Sequence, residues 1–198
     1  MTKKEKAGEV VEASTTYFTA HCYQLFDCPP LGSLVKTSDG DEVIYGIVAG
    51  ALSGGLDPSR RPIARGQELT TETSVFEENP QLEKLLISQF NVLVIGHRSG
   101  DVIRHYLPPR PARIHGFVYL CTDDEIKEFG LSFNFLSLVL GYQSEVPAEE
   151  LIAACLRLMS HVQQDPHAFL VKAGKELAVL LAGESTRLRI VLERIKND

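Results

Sequence analysis

The hydrophobic positions of this 198-residue chain change their period after about Cys121. Before it, short apolar runs separated by turn residues predict strands. Thr15 to Cys22, rich in Thr and aromatic residues, is stopped by Asp27-Cys28-Pro29-Pro30 before a second run, Leu31 to Lys36. Ser38-Asp39-Gly40-Asp41 then predicts a hairpin turn into Glu42 to Ala49, with Gly46 as a bulge or close-approach point. Asn91 to Gly96 and Asp101 to Tyr106 form a second hairpin around Arg98-Ser99-Gly100-Asp101, and Arg113 to Leu120 adds a strand, for about six in all.

Between these hairpins, Gly50 to Glu78 reads as a long loop, because Gly54-Gly55, Asp57-Pro58 and Arg61-Pro62 crowd it with turn residues. Asn79-Pro80 is a cap and first-turn pair, and Leu82, Leu85, Leu86 and Phe90 recur at helical spacing. The expectation is a short helix over 79–89 that plugs one end of the sheet.

After Cys121 the period is helical. Pro147 with Glu149 and Glu150 makes a first turn for a stripe of Leu151, Cys155, Leu158, Met159 and Val162. Asp165-Pro166 opens a helix striped by Phe169, Leu170, Ala173, Leu177, Leu180 and Leu181, ending at Gly183, and Leu188, Val191, Leu192 and Ile195 mark another. The pattern therefore predicts an α+β protein: a small barrel of about six strands with an inserted helix over 14–121, then three to four helices over 122–198, packed on or beside it.

Composition changes this picture little. Apolar and charged fractions of 44% and 23% are those of a globular chain. A net charge of -6 weighs against sequence-independent adsorption to DNA or anionic membranes. The charged start, Met1-Thr2-Lys3-Lys4-Glu5-Lys6, is unlike a secretory signal, and no stretch approaches 18 uninterrupted apolar residues, so the expected location is cytoplasmic, without a membrane. Cys22, Cys28, Cys121 and Cys155 lack a Cys-x-x-Cys pair and read as reduced, mostly buried thiols.

The chemistry-bearing motifs point away from catalysis. Gly174-Lys175 is followed by Glu176 rather than Ser or Thr, so it is a helix-surface lysine and no phosphate-binding loop. Gly50, Gly54 and Gly55 lack the spacing of a dinucleotide fingerprint. No two histidines stand at i, i+4, and His21 and Cys22, adjacent in a strand, point to opposite faces. Neither a metal site nor a cofactor is expected. Asp123-Asp124-Glu125 is read as a helix start. A catalytic site would need His21, His97, His105 or His115 to gather in a deep pocket.

Two arginine groups remain as binding candidates: Arg60, Arg61 and Arg65 in the long loop, and Arg98, Arg104, Arg110 and Arg113 around the second hairpin. Converging on one barrel face, they would bind phosphate, nucleic acid or an acidic partner through bidentate guanidinium contacts. The plainer alternative is pairing with nearby acids such as Asp57, Asp101 or Glu68. Leu107-Pro108-Pro109-Arg110-Pro111 is similarly read as a rigid link between strands rather than a proline-rich ligand.

The strings Phe18 to Gln24, Pro30-Leu31-Gly32-Ser33-Leu34-Val35 and Ile44-Tyr45-Gly46-Ile47-Val48 resemble the HAS-barrel, the small barrel shared by HerA-type DNA translocases and the N-termini of rotary ATP synthase head subunits. The resemblance covers residues 14 to 120. It implies a module that builds rings and, in HerA-type proteins, lies where a nuclease docks. The helices after Cys121 carry no phosphate-binding motif, so the motor activity does not carry over. A non-catalytic adaptor or self-assembling module beside a separate ATPase or nuclease is the expected function. The alternative is a nucleic-acid or phosphate binder using the arginines.

Overall fold

The computed structural model describes residues 6–57 and 59–196. Pro58 and the charged start at residues 1–5 lie outside them. Among the described residues, seven strands occur in the order β1 Lys6–Ala13, β2 Tyr17–Cys22, β3 Leu34–Asp39, β4 Glu42–Gly55, β5 Leu86–Ser99, β6 Val102–Arg104 and β7 Phe117–Leu120. All neighbours pair antiparallel in the order β2-β1-β7-β3-β4-β5-β6, and β2 also pairs with β5. That last pairing closes β1–β5 and β7 into a six-strand barrel. β6 hangs on β5 outside the ring.

Strand alternation divides the side chains between two cores. Phe18, Ala20, Val35, Ile44, Val48, Phe90, Val92, Val94 and Val118 fill the barrel interior. Leu34, Tyr45, Ile47, Leu93 and Ile95, from the alternate positions of β3, β4 and β5, form an apolar outer wall that shares a cluster with the helices. Five helices follow β7: α3 Asp123–Phe129, α4 Leu136–Leu140, α5 Ala148–His161, α6 Pro166–Leu180 and α7 Ser185–Ile195. They are one more than the upper end of the three to four expected, and the extra element is the short α4, which periodicity resolves least well.

Local chemistry fixes several boundaries. Thr122 and Glu125 form a reciprocal capping box at the start of α3. Asp165 accepts from the Ala168 amide with Pro166 in the first turn of α6. Both hairpin turns fall where expected, with Gly40 and Gly100 in left-handed conformations. At Gly46 the β4–β5 register shifts, and an added Cβ would lie 2.3 Å from Val92 Cγ1. Gly32, with φ +84, touches the α5 backbone so closely that a Cβ would lie 2.5 Å from the Cys155 amide nitrogen. β3 therefore begins at Leu34 instead of Leu31.

α5 is the pivot of the helical layer. Leu151, Ile152, Ala153, Ala154, Cys155, Leu156 and Met159 are all buried, while Leu158, expected on the core stripe, is half-buried. A helix enclosed on several sides buries more than one stripe. Ion pairs of Arg187 with Glu149 and Arg194 with Glu150, and a hydrogen bond from Arg157 to the Arg194 carbonyl, join α5 to α7. Lys36 on β3 is buried against Glu125 of α3 and ties the helices to the outer wall.

The region between β4 and β5 differs most from expectation. β4 runs on to Gly55, since each residue from Gly50 onward finds a ladder partner on β5, ending at Gly55↔Leu86. The loop therefore starts at Leu56, and α1 Glu72–Glu78 follows it, capped by the Thr71 side chain. The helix expected over 79–89 shrinks to α2 Leu82–Leu85, because Leu86 onward is already β5. Asn79 ends α1 instead of opening the next helix, its side-chain amide donating to the Val75 carbonyl. Neither α1 nor α2 buries a residue, so neither plugs the sheet. Leu107 and Ala112, at the two ends of the proline-rich link, pack instead against the interior cluster.

Candidate functional site

The β4–β5 ribbon places the two arginine groups at its opposite ends. Arg98 lies beside the Glu42↔Ser99 end with Arg104 on β6, and Arg60, Arg61 and Arg65 follow the Gly55↔Leu86 end. A 14-residue strand at about 3.3 Å per residue has a contour of roughly 40 Å, so the two groups lie at opposite ends of the ribbon.

At the barrel end, the arginines are structural struts or exposed. Arg98 donates to the Tyr45 hydroxyl at 3.2 Å and pairs with Glu128 of α3, so it joins strand to helix. Arg113 reaches Asp39 at 3.4 Å, Arg104 donates to the Tyr106 hydroxyl at 3.1 Å, and Arg110 is exposed on the proline-rich link. Of the acids the sequence nominates, Asp57 is used, by Arg60 at 3.5 Å, while Glu128 and Asp39 serve Arg98 and Arg113.

The histidines do not gather. His97 is buried with its Nδ1 3.1 Å from the Tyr106 carbonyl, and His115 meets Glu9 at the surface. His105 packs edge-on against Phe129 at 4.5 Å and donates from Nε2 to the Phe129 carbonyl at 2.9 Å. Burial pushes its pKa below the ordinary 6.5. His21 lies on β2 opposite Glu9 and Gln89. Among the described residues, no group of three or more His, Cys, Asp or Glu side chains could hold a metal ion. Lys175 is exposed on α6, as a helix-surface lysine should be.

At the other end of the ribbon, the 56–71 loop and the two short helices surround a cleft of about 1170 Å³. Its apolar lining comes from Leu56, Ile63, Val75, Phe76, Leu82, Leu85 and Leu86, and Arg60, Arg61 and Arg65 line it too. Ile63 is 72% exposed, Leu56 55% and Leu85 53%. Together these residues form an exposed apolar surface. Arg65 is steadied by the Asn79 side chain at 3.1 Å, which fixes one guanidinium at the mouth.

A second pocket of about 740 Å³ adjoins the cleft, sharing Phe76. Its wall is the Tyr23–Phe26 turn between β2 and β3, where Phe26 adopts φ +66 and stands 6.0 Å edge-on from Phe76. The Phe26 amide donates to Ser88 Oγ at 2.8 Å, and Ser88 meets Ser53 at 2.7 Å, so the turn is anchored on the β4–β5 ribbon.

Sequence reasoning found the loop arginines but missed the apolar residues beside them. The available signal was Ile63, flanked by Pro62 and Ala64 in a turn-rich segment, where no strand or helix period explains an isoleucine. No known protein-family model matches this chain, and no curated protein matches it.

Proposed function

We propose that the protein is a non-catalytic, cytoplasmic adaptor whose cleft beside the β4–β5 hairpin end docks an amphipathic, acidic segment of a partner protein. The observation that carries this reading is the joint exposure of Leu56, Ile63 and Leu85 beside Arg60, Arg61 and Arg65. An apolar helix face buries against such a groove, and carboxylates at its rim answer the guanidinium groups. The volume exceeds the range of about 300–1,000 Å³ usual for a small ligand, which favours a polypeptide.

The likeness of the barrel strings to the HAS-barrel supports an assembly role and extends the proposal to an ATPase or nuclease of DNA processing as the partner. No helix among the described residues is long and apolar enough to cross a membrane. The placement of the arginine groups at opposite ends of the ribbon, and the use of Arg98 and Arg113 in pairs within the chain, weigh against the nucleic-acid reading.

The test compares wild type with Ile63→Asp and, as control, Leu131→Asp, whose parent side chain is 84% exposed on the helical side. Size-exclusion chromatography with light scattering, at low and high salt, reads self-association; affinity capture reads a second protein. An assembly or partner retained by wild type and Leu131→Asp but lost in Ile63→Asp supports the cleft. Identical behaviour of all three proteins overturns it. Nucleic acid co-eluting at low salt and released at high salt would put the arginine reading first.

A further inference from the structure

We propose that Cys22 and Cys28 are a redox modification site, forming a reversible intrachain disulfide that clamps the Tyr23–Asp27 turn. This goes beyond the docking proposal and does not depend on what the cleft binds. The two Sγ atoms lie 3.2 Å apart, so forming a bond of about 2.05 Å needs roughly 1 Å of approach. The connecting turn is short, and Phe26 already bends it back through a left-handed conformation rare for an aromatic residue. The pair is thus held together by the fold of the turn, with no Cys-x-x-Cys motif to announce it.

The thiols are not equivalent. Cys22, at the end of β2, is buried, and burial foremost pushes its pKa up to about 12. Cys28 is half-buried on the connecting segment, with its sulfur 3.7 Å from the Gln89 carbonyl. Cys28 is accordingly the point of entry and Cys22 the resolving thiol. With glutathione disulfide as oxidant, the Cys28 sulfur, having lost its proton, attacks one glutathione sulfur and expels a glutathione thiolate. The Cys22 sulfur then gives up its proton and attacks Cys28, expelling the second glutathione. Two protein thiols are oxidised, one small disulfide is reduced to two thiols, and both protons are accounted for. In a reducing cytosol such a bond is transient by nature.

Cys155 has no comparable route. It is enclosed in α5 against Met159, and burial pushes its pKa up to about 12. The consequence of closure would be felt at the candidate site, since Tyr23 and Phe26 line the smaller pocket and Phe26 meets the Phe76 ring that also lines the cleft.

The experiment incubates the folded, full-length protein with glutathione disulfide, alkylates the remaining thiols and maps the tryptic peptides by mass spectrometry. Cys22 and Cys28 fall within one tryptic peptide, from Ala7 to Lys36. The expected product is that peptide lighter by two hydrogen atoms and unalkylated at both positions, restored by dithiothreitol. Cys22→Ser should instead accumulate glutathione on Cys28. Hydrogen exchange in the Tyr23–Asp27 turn should slow in the oxidised protein. The proposal is overturned if wild type alkylates fully at both cysteines at every glutathione ratio, if it accumulates the mixed disulfide as Cys22→Ser does, or if exchange in the turn is unchanged. Wild-type mapping decides the bond even where the variant fails to fold.

Discussion

β4 and β5 run side by side over 14 residues each, yet their two halves live in different surroundings. From Ile44 to Ala49 every β4 residue is buried, with the barrel interior on one face and α3–α7 cover on the other. From Ala51 to Ser53 every residue is exposed. The ladder hydrogen bonds continue through both halves, so backbone pairing alone does not decide burial. What decides it is whether side chains on both faces find partners. One half is sealed on both strands; in the other the β4 residues lie open, while Phe90 and Ser88 opposite them on β5 stay buried and the short helices α1 and α2 bury nothing themselves.

Truncating one leucine in the helical layer that covers the sealed half and one just past the open end tests that contrast most severely. Leu156→Ala, at a fully buried α5 position, should cost about 3 kcal/mol through lost burial and a residual cavity. Leu56→Ala, at the cleft, should change stability by less than about 0.5 kcal/mol. Urea denaturation of both variants decides it. Similar losses would mean that the cleft is part of the folding core and not a docking surface.

Two glycines of the same strand draw a finer line. A Cβ at Gly46 would meet Val92 Cγ1 at 2.3 Å and the Leu93 carbonyl oxygen at 2.7 Å, whereas at Gly54 no atom of the described residues lies within 4 Å. Gly46→Ala should therefore cost about 2 kcal/mol from overpacking. Gly54→Ala should gain up to about 0.5 kcal/mol, by restricting the unfolded chain. Thermal melts of the pair would contradict the contrast if Gly54→Ala destabilised as much as Gly46→Ala.

Those glycines also show what the sequence made legible. Gly46 interrupts a β-branched run, and Asp165-Pro166 and Thr122-Asp-Asp-Glu announce helix starts, because each signal is local. β1 was not legible: its residues Lys6 to Ala13 carry charge at Glu9 and Glu12, and the strand exists because β2 and β7 flank it. The helical spacing of Leu82, Leu85, Leu86 and Phe90 pointed the wrong way, since pairing with β4 outweighed helix periodicity from Leu86 onward. Arginine partners were equally hidden. Glu128 is 30 residues from Arg98, and Asp39 is 74 from Arg113.

The sealed half should also carry a pH signature. The His105 pKa is depressed by burial, so between its folded value and the ordinary 6.5 the unfolded chain binds more protons. Stability is fully present above about pH 6.5 and declines as pH falls through the folded pKa. Glu149, held below its ordinary 4.5 chiefly by the hydrogen bond from Arg187, acts in the same direction but in a more acidic window. Urea midpoints measured from about pH 7.5 down to about pH 5.5 should fall for wild type and flatten in His105→Gln. Equal slopes in the two proteins would remove His105 as the cause.

The last contrast lies inside the barrel itself. Thr37, on β3 opposite Ile44, is 2% exposed, and its Oγ1 has no hydrogen-bond partner among the described residues. A buried hydroxyl without a partner forfeits its hydration, while valine of the same shape does not. Thr37→Val should therefore leave stability unchanged or raise it by up to about 1 kcal/mol, read as a shift of the urea midpoint at constant slope. A gain would show that the interior is a purely apolar packing core, matching the helical layer in kind. A loss would show that the hydroxyl is hydrogen-bonded within the barrel, and the two cores would then differ as the two halves of the ribbon do.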